Sequence, residues 1–454
     1  MVNRSAWHNA LALIVCGILL TTYTFTSWLA WQNKGITFDE PLHLVAAATQ
    51  VRDGTFRFDQ ENPPLWKYYF ALGAASANMA LPPLPGADAL NLPEAPTATN
   101  YATKTLYQTP GNDARALVNS GRMRMLPLAV ALGALIAFWS FRLAGPLAAC
   151  VACAAFSIDP NFLAHGLLIK NDVPITLLFT ALMFLLWQTG RAATIANCCG
   201  LALVVAMALG TKFSGLLAIP ILAVAFFVRA VLPAEWPVLG LTARTFAHRL
   251  VTSALISAVC LIISWIAVWA CCDFRYEPAN HPTADLDSAI RVYAAVKSAA
   301  THDAGLAAAP SETTQDVSHW QPDHLVRTVR WIGDHHLLPQ AYLTGFIGTA
   351  TDVTGRGSFL MGHTRLRGWW YYFPLAMAFK TPLATLTALV AATLMVFFLP
   401  RPRNLWTISC LSIAPIMYLL SAMHSGMNLE RIIHYPLHPH ENHSPSSFFV
   451  VSNF

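Results

Sequence analysis

The sequence predicts an all-α protein threaded repeatedly through a membrane, and three observations predict it. Only 11% of the 454 residues are charged while 55% are hydrophobic, against roughly 25% charged in soluble domains. Apolar runs of about 20 residues, enough to cross a ~30 Å hydrocarbon core as a helix, recur along the chain. The arginines, finally, alternate in register with those runs.

Nine runs qualify: 9–31, 125–143, 146–158, 172–189, 195–210, 214–232, 250–271, 372–399 and 404–422. The first has the look of a signal peptide, but it is long and has no small-x-small cleavage site, so it reads as an anchor. The third is short, and Gly145-Pro146 leaves only a tight turn between it and the second. With Arg4 inside, the inner connections carry Arg142, Arg191, Arg229, Arg244, Arg249, Arg401 and Arg403, with Glu235 as their one acid. The other acids, from Asp39 to Glu441, fall outside, as the positive-inside bias expects. Nine spans then place the C-terminus outside. The nine cysteines lie in or at the ends of spans, which suits small apolar filler better than a disulfide framework.

Two outer segments, 32–124 and 272–371, are too long to be simple connectors. In the first, "FDEPLHLVAAATQVRDG" has helical spacing and Gly54 to end it, and Pro63-Pro64 opens a second helix through "LWKYYFALGAASANMAL". Both have one apolar side and are expected to lie along the membrane surface; residues 82–112 read as a loop. In the second segment a helix is expected at 284–300, then a Ser/Thr/Gln-rich stretch at 309–318, then a basic amphipathic surface at Arg327, Arg330 and Trp331. Trp369, Trp370, Tyr371 and Tyr372 form an aromatic girdle ahead of the next span. The chain reads as one membrane domain, 1–454, with an aberrant tail at 429–454. It holds no Walker loop, GxSxG elbow, heptad seam or internal repeat, which argues against an ATP-driven transporter. Neither a nucleotide cofactor nor a nucleic-acid partner is expected.

Five stretches carry the polar chemistry. Asp39 and Glu40 adjoin, with His43 one turn later; helix capping and general-base chemistry both account for them. Glu61 precedes a double proline, and Lys67 could reach a phosphate or snorkel to the headgroups. "SIDPNFLAHGLLIKNDVPIT" gathers Asp159, Asn161, His165, Lys170, Asn171 and Asp172 at one membrane face, where charge suggests function and the prolines also allow ordinary caps and turns. Lys212 in "ALGTKFSGLL" and Lys380 in "AFKTPL" complete the set, each also open to snorkelling. All five fall on the outer face. Together they describe a mixed-charge cavity suited to an anionic lipid donor entering sideways and an acceptor arriving from outside.

The order of these stretches resembles the membrane-embedded glycosyltransferases of the GT-C type. Within them it is similar to family 39, the protein O-mannosyltransferases and lipid A aminoarabinose transferases. The likeness rests on "FDEPLHLVAAATQVRDGTFRF", "ENPPLWKYYFALG", "SIDPNFLAHGLLIKNDVPITLLF", "ALGTKFSGLL" and "GWWYYFPLAMAFKTPLATL" and covers residues 9 to about 428. It implies a GT-C architecture of about nine helices, a polyprenyl-phosphate sugar donor and inverting transfer at the outer face of a bacterial cytoplasmic membrane. The acceptor would be a protein, lipid or polysaccharide. Carried over, Asp39 would be the general base, Glu40 would position the acceptor, and Asp172 would shape the donor or acceptor site. Glu61, Lys67, Asp159 and His165 are further candidates for binding substrate. Lys212 and Lys380, or instead Arg365 or Arg367, are candidates for stabilising the leaving phosphate. A divalent metal assists in some GT-C enzymes; His43, Glu61 and His363 are the candidate ligands, and their spacing names no metal.

Two departures stand out. Asn62 occupies a position where aminoarabinose transferases tend to have lysine, which leaves the sugar open. The tail "ERIIHYPLHPHENHSPSSFFVVSNF" replaces an expected further span and suggests a truncation or frame slip. A lipid or sugar transporter or flippase, and an inactive pseudoenzyme, are the competing readings; charge at span ends rather than mid-depth speaks against transport.

Overall fold

In the computed structural model the described residues are 4–32, 34–56, 58–71, 79–84, 95–277, 286–301, 320–355, 358–365, 368–398 and 404–424. The helices are α1 (Arg4–Gln32), α2 (Asp39–Asp53), α3 (Leu65–Ala71), α4 (Ala95–Gln108), α5 (Ala114–Ala144), α6 (Pro146–Ile158) and α7 (Pro160–His165). They continue as α8 (Asp172–Arg191), α9 (Ile195–Thr211), a 3₁₀ turn (Phe213–Leu217), α10 (Ala218–Val231) and α11 (Phe246–Cys271). Beyond them lie α12 (Leu286–Thr301), α13 (His324–Asp334), α14 (Gln340–Gly355), α15 (Tyr372–Lys380), α16 (Leu383–Phe398) and α17 (Leu405–His424).

Each of the nine apolar runs forms helix, but they do not all form full spans. Among the described residues six helical stretches are long and apolar enough to cross, or seven if α15 and α16 count as one. The third and fifth runs become helices of 13 and 17 residues, about 20 and 26 Å at 1.5 Å per residue against a core of ~30 Å. The eighth run is broken: α15 and α16 meet at 118°. Thr381, extended at φ −87° and ψ 135°, stands ahead of Pro382, and the residue before a proline avoids the helical region.

Two clusters of buried side chains organise the molecule. One fills the bundle of α8, α9, α10, α11 and α17 with Leu182, Leu186, Val205, Ile221, Phe226 and Cys410. The other joins α1, α5 and α6 to the first outer segment through Tyr23, Leu44, Phe58, Phe70, Leu106, Met125 and Leu132. A smaller one, with Ile290, Tyr293, Val326, Val329 and Ile347, packs α12, α13 and α14 together.

Several expectations change. α2 is not an interfacial helix with one wet face: from His43 to Gln50 every residue is buried, because α3, α4 and α5 enclose it. The segment 82–112 is not all loop; α4 runs through it, burying Tyr101, Ala102, Thr105 and Leu106 at helical spacing. Two hairpins, β1 (Trp236–Val238) with β2 (Leu241–Ala243) and β3 (Ser358–Leu360) with β4 (His363–Arg365), had not been foreseen. Their turns, Leu239-Gly240 and Met361-Gly362, have positive φ at both central residues, the primed geometry that matches strand twist. The helix expected at 284–300 is α12, and α13 does present Arg327, Arg330 and Trp331 on its exposed side. Of the aromatic girdle, Trp369 and Tyr372 are buried while Trp370 and Tyr371 face outward. The stretch 309–318, the tail 429–454 and Arg367 lie outside the described residues.

Candidate functional site

The connections 34–38, 159–171 and 212, the start of α5 and the end of α15 meet at one end of the bundle. What draws them together is a buried ion pair. Glu40, in the first turn of α2, is fully buried and accepts two hydrogen bonds from the equally buried Arg122 of α5, Nε at 2.7 Å and Nη2 at 2.6 Å. Thr37 N–H donates to the same carboxylate at 2.8 Å and Ile169 N–H at 3.3 Å. Arg122 also donates to the carbonyl of Gly35 at 2.8 Å. One carboxylate and one guanidinium thus tie the end of α1, α2, α5 and the 167–171 turn. A bidentate, fully satisfied pair meets the desolvation cost that an isolated buried charge would incur. Gly121 lets the turn come this close, since a Cβ there would stand 2.5 Å from Ile169 Cδ1.

Asp39 points the other way. Its side chain is 27% exposed and its Oδ2 lies 2.8 Å from Lys170 Nζ. Two residues beyond Lys170, Asp172 pairs with Lys212 at the end of α9. Lys34 donates to the carbonyl of Ala164 at 3.5 Å, and Asn161 to the carbonyl of Lys380 at 3.4 Å. His165 lies among these groups. Burial, with the positive charges of Lys170, Lys34 and Lys380, holds its imidazole below the usual range against the pull of Asp172. Burial likewise opposes the charge on Lys212, but Asp172, foremost among the acids near it, carries its ammonium above the usual lysine range.

A second network braces this end from beneath. His43 Nδ1 lies 2.9 Å from Asp59 Oδ2, Asn62 donates to the other Asp59 oxygen, and Asn171 donates to Asn62 and, at 3.3 Å, to the carbonyl of Thr211. Asp59 takes a left-handed turn at φ 55°, a conformation aspartate tolerates better than most residues. Lys67, only 2% exposed, donates to the carbonyls of Asp59 at 2.9 Å and Phe58 at 3.4 Å. Burial lowers its pKa, with Asp59 opposing.

Of the residues singled out in the sequence, Asp39, His165, Asp172, Lys212 and the backbone of Lys380 come together here. Asp159 caps α7, accepting from Asn161 N–H at 2.8 Å. Lys67 neither snorkels nor faces the cluster, because its ammonium is spent on the 58–59 carbonyls. Glu61 is exposed, and its backbone carbonyl accepts from Thr349. Arg365 lies over the Trp369 ring at 5.3 Å in the β3–β4 hairpin. His363 is exposed in that hairpin while His43 is committed to Asp59, so the candidate metal ligands are not assembled; among the described residues no three His, Cys, Asp or Glu side chains converge. Sequence reasoning missed Arg122 and Lys34 and gave Lys170 no role.

Residues 15–271 match a family model described as dolichyl-phosphate-mannose-protein mannosyltransferase. The match spans every residue of the Glu40–Arg122 knot and both aspartate–lysine pairs. No curated protein matches the chain. With more than half its length in that match, a predominantly helical membrane fold and a mixed-charge cluster at one end of the bundle, the chain belongs to the dolichyl-phosphate-mannose-protein mannosyltransferase family, membrane glycosyltransferases that draw on a polyprenyl-phosphate-linked sugar.

Proposed function

We propose that the chain transfers a sugar from a polyprenyl-phosphate donor to an acceptor hydroxyl at the outer face of the membrane, with inversion, and that Asp39 is the general base. The observation that carries this reading is the division of labour between adjacent acids. Glu40 is buried and saturated, whereas Asp39 is partly exposed among lysines. Glu40 then acts through position: it fixes the first turn of α2 and so aims its neighbour. Asp39 takes the acceptor's proton as the hydroxyl attacks the anomeric carbon. Lys212 and Lys380 stabilise the charge that develops on the departing phosphate. Asp172 orients Lys212, and His165 contributes a neutral ring to the donor side. A membrane protein of the bacterial cytoplasmic membrane with a protein, lipid or polysaccharide acceptor fits this arrangement.

The test is a transfer assay in membranes with polyprenyl-phosphate sugars offered one at a time. Asp39→Asn is expected to lower the rate by about 10²–10⁴-fold, the usual contribution of a general base, with the protein still folded. Full activity in that variant would remove Asp39 from the role.

A further inference from the structure

Asp39 and Lys170 sit on two backbones that are fastened to each other by their neighbours. Glu40 accepts from Ile169 N–H at 3.3 Å, so the residue after Asp39 holds the residue before Lys170. On the far side, Asn171 is tied to Asn62 and to the carbonyl of Thr211. Leu167, Leu168 and Ile169 are buried, and Lys170 N–H closes a tight turn on the carbonyl of Leu168 at 2.7 Å. With both main chains held, the Lys170 side chain can change partners without moving either. Its ammonium is 2.8 Å from Asp39 Oδ2 and lies in a cluster that also gathers Lys34, Lys212, Lys380 and Asp172. Among the described residues the cluster gathers four lysines and two aspartates, a setting open to further negative charge.

Transfer supplies that charge in two stages. The donor phosphodiester brings one negative charge. When the C1–O bond breaks, its electron pair stays on the phosphate oxygen, the acceptor oxygen bonds to C1, and the acceptor's proton passes to the base. The leaving phosphate monoester then carries up to two charges. An ammonium beside the base can answer both changes.

Resting on the reading of Asp39 as base, we infer that Lys170 is a positioning residue that exchanges partners: it holds Asp39 in place while the site is empty and passes to the donor's phosphate when the donor binds, releasing the carboxylate for the acceptor. Donor and base thereby compete for one ammonium, and the base is freed only where a donor is in place. Proton abstraction in the absence of a donor is discouraged by the same contact.

The competition can be read without turnover. Binding of sugar-free polyprenyl phosphate to the full-length chain in lipid nanodiscs is compared for the parent, Asp39→Asn, Lys170→Met, Lys170→Arg and the Asp39→Asn/Lys170→Met double variant. Removing the competing carboxylate is expected to tighten binding by about fivefold, and Lys170→Met to weaken it by about tenfold, within the span of ordinary coupling energies. Lys170→Arg should retain most of the affinity. In the double variant the Asp39 effect should shrink to the part its charge exerts through Lys212, because the exchange itself runs through Lys170. If Asp39→Asn tightens binding equally with and without Lys170, or does not tighten it at all, the exchange is overturned while the lipid-donor reading stands. If no variant binds polyprenyl phosphate although all are folded, the donor reading itself falls and takes the exchange with it.

Discussion

Arg122→Leu removes a guanidinium from a site that is sealed from water and leaves Glu40 buried with only two backbone amides. Breaking one partner of such a pair costs about 3–5 kcal/mol, so the variant is expected to unfold well below the parent in a thermal melt in detergent. Arg122→Lys keeps the charge but not the fork, and should fall between. An unchanged melt for Arg122→Leu would mean that the knot does not hold this end of the bundle. The acids of this site could be read from the sequence because a carboxylate pair beside an apolar run is conspicuous in a chain with so few charges. Their partners could not. Lys170 pairs with a residue more than a hundred positions away, and nothing in local spacing reports that. Arg122 did leave a trace: it lies in "NSGRMRM", on the side where the charge bias places acids, and an arginine out of place asks for a buried partner.

At the level of elements, the second outer segment is a small helical unit whose corner is Asp323. Its Oδ1 accepts from Val326 N–H at 2.9 Å, capping α13, while its Oδ2 accepts from Tyr293 at 3.0 Å and pairs with Lys297 of α12. Burial alone would raise the Asp323 carboxyl, but Lys297, the Val326 amide and Tyr293 outweigh it and hold it below the usual carboxylate range. The hydrogen bond to Asp323 in turn lifts Lys297 above the usual lysine range. A carboxyl with a lowered folded pKa adds stability above its unfolded value of about 3.9 and loses it as pH falls through the folded value. The lysine's share is complete below about 10.4 and is lost as pH rises through its own folded value. Hydrogen exchange should therefore find α13 of Asp323→Ala about fivefold faster than the parent at neutral pH, the ~1 kcal/mol of a lost cap. The gap should narrow toward pH 3; an equal gap at both pH values would remove the charge from the account. Sequence reasoning placed α12 closely, since its apolar positions repeat every three to four residues. It missed α4, where a Pro-, Ala- and Thr-rich composition hid a buried face of Tyr101, Ala102, Thr105 and Leu106. It also read α6, short as its run already was, and α9 as spans because their apolar character was plain.

For the whole molecule, the arginine pattern proposes an orientation that can be measured. A cysteine at Asn161, beside the site, should react with a membrane-impermeant maleimide in intact cells. One at Thr242, exposed in the β1–β2 hairpin at the opposite end, should react only after permeabilisation. The reverse result would put the site inside and end the outer-face proposal. The alternation of arginines proposes this orientation from the sequence alone, whereas the breadth of the end cluster depended on how the helices pack. The Glu40–Arg122 knot also has a history in time. The two residues are 82 positions apart, and Ile169, the third member, is 129 positions beyond Glu40. At about 5–20 residues per second of synthesis, Glu40 would leave the ribosome roughly 4–16 s before its arginine. During that interval the carboxylate has no Arg122 to pair with. The knot is therefore a late lock rather than an early nucleus: the N-terminal anchor inserts first, and the site is closed only when the chain has threaded back far enough to bring Arg122 and then the 167–171 turn alongside it.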